Sequence, residues 1–149
     1  MEPEIEKNEM IYMKKTNVFF VVFLSVLTLG IYIGYWFLSR KKDIIRLREQ
    51  NYIPFKWWLV FIIFLVVSFI YQFLGAAFLT DLGLNFFDSL DTICSFFYLG
   101  LLYYSTFRLK ELLEEEVEEE IFSPVLLVLF HIWYLQYKIN RLVDAGGNL

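Results

Sequence analysis

VFFVVFLSVLTLGIYIGYWFL, the stretch from Val18 to Leu38, runs for 21 positions without a charged residue. At ~1.5 Å of rise per residue, a helix of that length covers the ~30 Å hydrocarbon core of a bilayer. The stretch therefore predicts a membrane span. A second block, Trp57 to Phe73 with a continuation to Leu79, is equally free of charge. It opens on the aromatic pair Trp57 and Trp58 just after Lys56, as spans do at a membrane interface. Of 149 residues, 58% are hydrophobic and 21% aromatic, and the mean hydropathy is +0.54. Soluble domains are about 45–50% apolar. A chain this short hides only part of its surface when folded, so apolar residues gathered in long blocks call for a solvent other than water.

Two further blocks complete an expected all-α, integral membrane helical bundle of four transmembrane helices, with three as the alternative. The third is uncharged only from Thr92 to Phe107, between Asp88 and Asp91 on one side and Arg108 and Lys110 on the other. The fourth, Ile121 to Tyr137, carries His131 at mid-segment and Pro124 in its first turn, where a missing N–H costs nothing. It is near the short limit for a crossing. Predicted turns are Asn51 to Pro54 and Gly75 to Asn85. Residues 1–17 read as a short polar tail, 18–142 as one transmembrane domain, and 143–149, with Gly146 and Gly147, as a frayed end. The glutamate-rich start, and a first block that is long and ends in bulky residues, argue against a cleaved signal peptide.

Lysine and arginine resist translocation, so their placement predicts orientation. The loop 39–56 holds Arg40, Lys41, Lys42, Arg46, Arg48 and Lys56, whereas 75–91 holds none. The first loop is expected in the cytoplasm, with Tyr35, Trp36, Trp57, Trp58, Tyr103 and Tyr104 as an aromatic belt on that side of a plasma membrane. Four spans then leave Lys7, Lys14, Lys15, Lys138 and Arg141 outside. A three-span version, with the last segment lying along or dipping into the membrane, keeps the C-terminal charges inside.

Several residues carry candidate roles. Gly30 and Gly34 form a G-x-x-x-G pair that lets a second helix approach closely, within the chain or between copies. Arg40, Lys41, Lys42, Arg46 and Arg48, interspersed with Ile44, Ile45 and Leu47, suit a surface segment in contact with anionic lipid, each cation contributing about 1 kcal/mol. The plain alternative is that they only set topology. Asp88 and Asp91, three apart, and His131, the one histidine, are candidates for an ion or proton path. Against this, the aspartates sit where an outer interface would hydrate them, and a histidine between helices usually just packs. The glutamates from Glu111 to Glu120 read as a solvated end of the third helix, with Leu109, Leu113, Val117 and Ile121 along one stripe.

One cysteine, Cys94, excludes an internal disulfide and any multi-cysteine metal site. No P-loop, G-x-S-x-G elbow or H-E-x-x-H motif occurs, and nucleophile–base pairs have little material. The expectation is a protein that is not an enzyme and uses no cofactor. The basic segment lacks any groove-reading motif, so nucleic acid is not an expected partner. Membrane lipids are, with other membrane proteins or a second copy as further candidates.

Thr28-Leu29-Gly30-Ile31-Tyr32-Ile33-Gly34-Tyr35-Trp36-Phe37, entered from Lys14-Lys15-Thr16-Asn17-Val18 and left through the basic segment, resembles the bacterial membrane family called domain of unknown function 4234, whose hallmark is T-L-G-I-Y-x-x-Y-W. The resemblance covers about Met13 to Phe73, and Leu135-Gln136-Tyr137-Lys138-Ile139-Asn140-Arg141-Leu142 is similar in a less specific way. It implies a small multi-span protein of a bacterial plasma membrane and transfers no catalytic residues. The expected function is structural or interactive within the bilayer; the rival is a small transporter or channel component using Asp88, Asp91 and His131.

Overall fold

A computed structural model describes residues 13–146, and the Met1–Glu9 start and residues 147–149 lie outside them. The described chain is all helical: α1 (Val18–Leu27), α2 (Ile31–Ser39), α3 (Lys41–Leu47), α4 (Phe55–Phe78), α5 (Asp81–Val117) and α6 (Pro124–Gly146).

The uncharged block from Val18 to Leu38 is not one helix. Leu29 and Gly30 take left-handed φ angles of 48° and 94°, and the Gly30 N–H donates to Ser25 O at 2.9 Å while the Leu29 N–H donates to Val26 O at 3.2 Å. This pair of backward bonds closes a helix C-terminus, and glycine is the residue that takes a left-handed angle at no steric cost. Thr28 Oγ1 donates to Leu24 O at 2.7 Å and accepts from the Tyr32 N–H at 3.0 Å, so one hydroxyl serves the end of α1 and the start of α2. The chain then returns: Arg40, just past α2, donates to the Thr16 hydroxyl at 2.9 Å, just before α1. Each arm is about 15 Å long at ~1.5 Å per residue, so α1 and α2 form an acute hairpin with both ends on one side.

The last helix also doubles back. His131 has φ 29° and ψ −114°, which breaks the helical path. Beyond it the Tyr134 hydroxyl accepts from the Ser123 N–H at 3.3 Å, and its ring packs edge-on against Phe122 with centroids 6.0 Å apart. Eleven residues of straight helix would separate those positions by ~16 Å. A single crossing over Ile121 to Tyr137 is therefore replaced by two arms meeting at His131.

Between the hairpins stand α4 and α5, paired along nearly the whole of α4. Trp58 Nε1 donates to Ser105 Oγ at 3.0 Å, the Phe61 and Tyr98 rings lie 6.0 Å apart, Ser68 donates to Asp91, and the Tyr71 hydroxyl meets Asp88 at 3.0 Å. Phe55–Gly75 of α4 is the one helix among the described residues that has the length and uniform apolarity to cross a membrane. The turn expected over Gly75 to Asn85 is confined to Leu79 and Thr80, because the Thr80 hydroxyl caps α5 by accepting from the Gly83 N–H at 3.4 Å. α5 continues to Val117, where Glu118 at φ 57° ends it, so Ile121 lies off the predicted stripe. Val143 to Gly146, expected to fray, belong to α6.

The core lies at one end. Trp36, Phe37, Trp58, Leu109, Leu113, Leu127, Ile132, Leu135 and Ile139 are fully buried, with Phe37 stacked on Trp58 at 4.5 Å. Between Trp58 and Leu102, no apolar side chain is buried among the described residues. Two members of the predicted belt, Trp36 and Trp58, are thus core residues, while Tyr35, Trp57 and Tyr104 stay exposed.

Candidate functional site

The bases of the two hairpins are joined by a buried arginine. Arg40 is 2% exposed. Its guanidinium donates to the Gln136 side-chain carbonyl, to Thr16 Oγ1 at 2.9 Å and to Lys14 O at 3.3 Å, and it lies 4.2 Å from the centre of the Trp36 ring. Gln136 also accepts from Trp36 Nε1 at 2.8 Å, and donates to Asn140 Oδ1 at 2.7 Å. Asn140 in turn grips the backbone of Thr16, accepting from its N–H at 3.2 Å and donating to its carbonyl at 2.7 Å. Gln136 and Asn140, four apart on the second arm of α6, occupy one helical face and so meet the start of α1 and the end of α2 together.

Among the described residues, no carboxylate is a hydrogen-bond partner of Arg40. Burial lowers its pKa to about 10, opposed by Tyr32 and Asp43, so it stays charged at neutral pH. The charge is held by amide, hydroxyl and carbonyl oxygens and by an aromatic face, which suits a joint between elements. Arg40, expected among the lipid contacts, is therefore a buried structural cation, because the returning hairpin brings Thr16 and Gln136 to it. Lys41, Lys42, Arg46 and Arg48 are exposed on or next to α3.

The glutamate run is partly tied down. Arg48 pairs with Glu115, Arg108 with Glu111 at 2.7 Å and Lys110 with Glu114 at 2.7 Å. Glu114 also accepts the N–H groups of Ile121 and Phe122 at 3.1 and 2.9 Å, which holds the turn into α6. Burial pushes its pKa up, but Lys110 and those two N–H groups outweigh it and hold the carboxyl below its ordinary 4.5.

The two glycines meet different neighbours. A Cβ on Gly34 would lie 2.6 Å from Ile62 Cγ1, so α2 and α4 touch there, whereas a Cβ on Gly30 would lie 3.1 Å from the Tyr98 hydroxyl. That hydroxyl donates to Gly30 O at 2.9 Å. Asp91 and Asp88 sit near each other on α5 with Ser68 and Tyr71 as partners. His131 is elsewhere. Tyr103 touches its arm at Val128, with the hydroxyl 2.9 Å from the carbonyl, and Tyr103 lies twelve residues, or ~18 Å, along α5 from Asp91. The structure does not bring the three residues together. Cys94 lines an apolar groove of about 820 Å³ between α4 and α5, with Trp57, Phe61, Phe64, Phe97 and Gly100.

Sequence reasoning assigned no role to Thr16, Gln136 and Asn140. The available signal was two amide side chains four apart, and so on one helical face, a pattern that suits a shared polar partner. Both stretches quoted for the family resemblance, around Thr16 to Trp36 and around Gln136 to Asn140, converge on this cluster. Comparison with protein-family models, with curated proteins and with solved structures returns no match.

Proposed function

We infer that this is a multi-pass membrane protein with a structural role, acting through its contacts with lipid. α4 and α5 cross the bilayer as an antiparallel pair, and the α1–α2 and α6 hairpins enter from the basic side to about half depth. The observation that carries this reading is where apolar surface remains. The hairpin tips expose Leu27, Leu29, Leu129 and Phe130, and the far parts of α4 and α5 expose Phe73 at 72%, Phe78 at 81% and Leu82 at 81%. Surfaces of this kind are stable in hydrocarbon and costly in water. Hydrogen bonding agrees, since the break at Thr28 to Gly30 satisfies its own backbone, as a segment at membrane depth must.

This arrangement supersedes the four-span expectation and removes its charge conflict. Lys14 and Lys15 lie beside Arg40, and Lys15 pairs with Asp144, so the start and the end of the described residues join the basic segment on one face. With loop 39–56 cytoplasmic, that face is the cytoplasmic one, and the resemblance to domain of unknown function 4234 points to a bacterial plasma membrane.

One observation favours the rival reading. Ser68 is ten residues from the end of α4, so its partner Asp91 lies ~15 Å inside the pair, where an ionisable group is a functional candidate. Two measurements decide. The protein should stay with the membrane through an alkaline carbonate wash, and liposomes containing it should show no added proton or cation flux. Release by the wash contradicts membrane insertion, and a flux abolished by Asp91→Asn contradicts the structural role.

A further inference from the structure

The geometry points to a curvature-selective lipid surface: the protein is a wedge, wider in the leaflet on its basic side, and it takes as its partner a membrane that is convex on that side. This inference rests on the two-crossing reading above and adds to it a shape and a consequence.

The unequal width follows from counting helical segments at two depths. At the level of Trp58, Ser105 and Gln136, the section contains α1, α2, α4, α5 and both arms of α6. Beyond Tyr98, which marks the α1–α2 tip through its bond to Gly30, only α4 and α5 remain among the described residues. The α6 tip reaches a similar level, because Val128 meets Tyr103 and His131 lies one turn further. A helix with its side chains is ~10 Å across, so each extra segment occupies about 80 Å² and the four extra segments about 300 Å². That excess is confined to one leaflet.

Three features make it a rigid wedge. The hairpin bases are pinned by the Arg40, Gln136, Asn140 and Thr16 cluster, and the buried core fills the same end. Gly34 allows α2 to lie directly on α4, where any larger residue would collide with Ile62. At the rim, Lys41, Lys42 and Arg46 are exposed at the level where phosphate headgroups of that leaflet lie. A membrane whose basic-side leaflet is stretched accommodates the excess area, whereas a flat one must compress its lipids. The free-energy difference between those two environments is what shifts the protein toward the curved one.

The test is sorting between a flat membrane and a drawn tube. The full chain carrying Cys94→Ser and Gln50→Cys is labelled with a fluorophore at residue 50 and reconstituted into giant vesicles of phosphatidylcholine and phosphatidylglycerol. An external quencher then separates molecules with the basic end outside from those with it inside. When a narrow tube is pulled, the basic-end-outside population should be enriched in the tube roughly twofold or more over the parent vesicle, and the opposite population depleted by a like ratio. Equal densities, or enrichment of the opposite population, overturns the inference. Accessibility of cysteines at residues 14, 50 and 141 in the same vesicles separates the two failures. If they share a side and no sorting occurs, the wedge fails alone; if they lie on opposite sides, the two-crossing reading fails first.

Discussion

The end of the molecule that carries the basic segment and the end formed by the α4–α5 turn are built from similar residues but organised differently. At the basic end, six helical segments enclose an aromatic and aliphatic core around a buried cation. At the other end, two helices hold each other through Ser68, Tyr71, Asp88 and Asp91 while their apolar side chains face outward. Apolar residues are not by themselves a core. Whether Phe37 stacks on a tryptophan or Phe73 stays exposed depends on where the chain turns back, and here it does so at Leu29 and Gly30 and again at His131.

The contrast is broken most severely by removing the acceptor at its centre. Gln136→Leu strips Arg40 and Trp36 of a shared partner and should lower stability by about 3 kcal/mol or more. Thermal unfolding in detergent measures it. Adding Arg40→Met to that variant should recover part of the loss, since a neutral side chain no longer needs the missing acceptor. Next comes Gly34→Ile, which forces a side chain into Ile62 and Trp58 and should cost about 1–3 kcal/mol in the same assay. Gly30→Ala should cost about 1–2 kcal/mol because its φ of +94° penalises any Cβ. At the opposite end, Phe73→Ala should change stability by no more than about 0.5 kcal/mol, since that ring has no core to leave. A loss there as large as at Gln136 would mean that the far end is packed after all.

Acid sharpens the comparison further. The Glu114 carboxyl is held below its ordinary 4.5, so its contribution is complete above that pH and fades as pH falls through the lowered value. Protection of the Ile121 and Phe122 amides, measured as exchange relative to the intrinsic rate at each pH, should fall over that range, and Glu114→Gln should remove that pH-dependent loss of protection.

Much of this was legible in the residues, and the rest was hidden for physical reasons. Helical class and a long, uniformly apolar α4 follow from uninterrupted apolar runs. The breaks do not. Thr28-Leu29-Gly30 is tolerated inside an apolar helix, so nothing in the local pattern separates a close-packing glycine from one that ends a helix. His131 has no turn chemistry of its own, and its break is imposed by Tyr134 returning to Phe122 and Ser123. The arginine cluster was hidden for a related reason. A cation in a basic run reads as surface charge until two turns of the chain bring Thr16 and Gln136 around it. What could be read was the conflict itself: four crossings place Lys14, Lys15 and Arg141 on the side opposite the basic loop, and the two-crossing arrangement proposed here removes it.

The most direct test of the account is the sidedness of single cysteines. With Cys94→Ser as background, Lys14→Cys, Gln50→Cys, Asp81→Cys and Arg141→Cys are each probed in sealed membranes by a thiol reagent that does not cross the bilayer. The account predicts that residues 14, 50 and 141 react from one side and residue 81 from the other. Reaction of residue 14 or residue 141 from the same side as residue 81 would contradict it, because a helix would then cross where the structure places a hairpin.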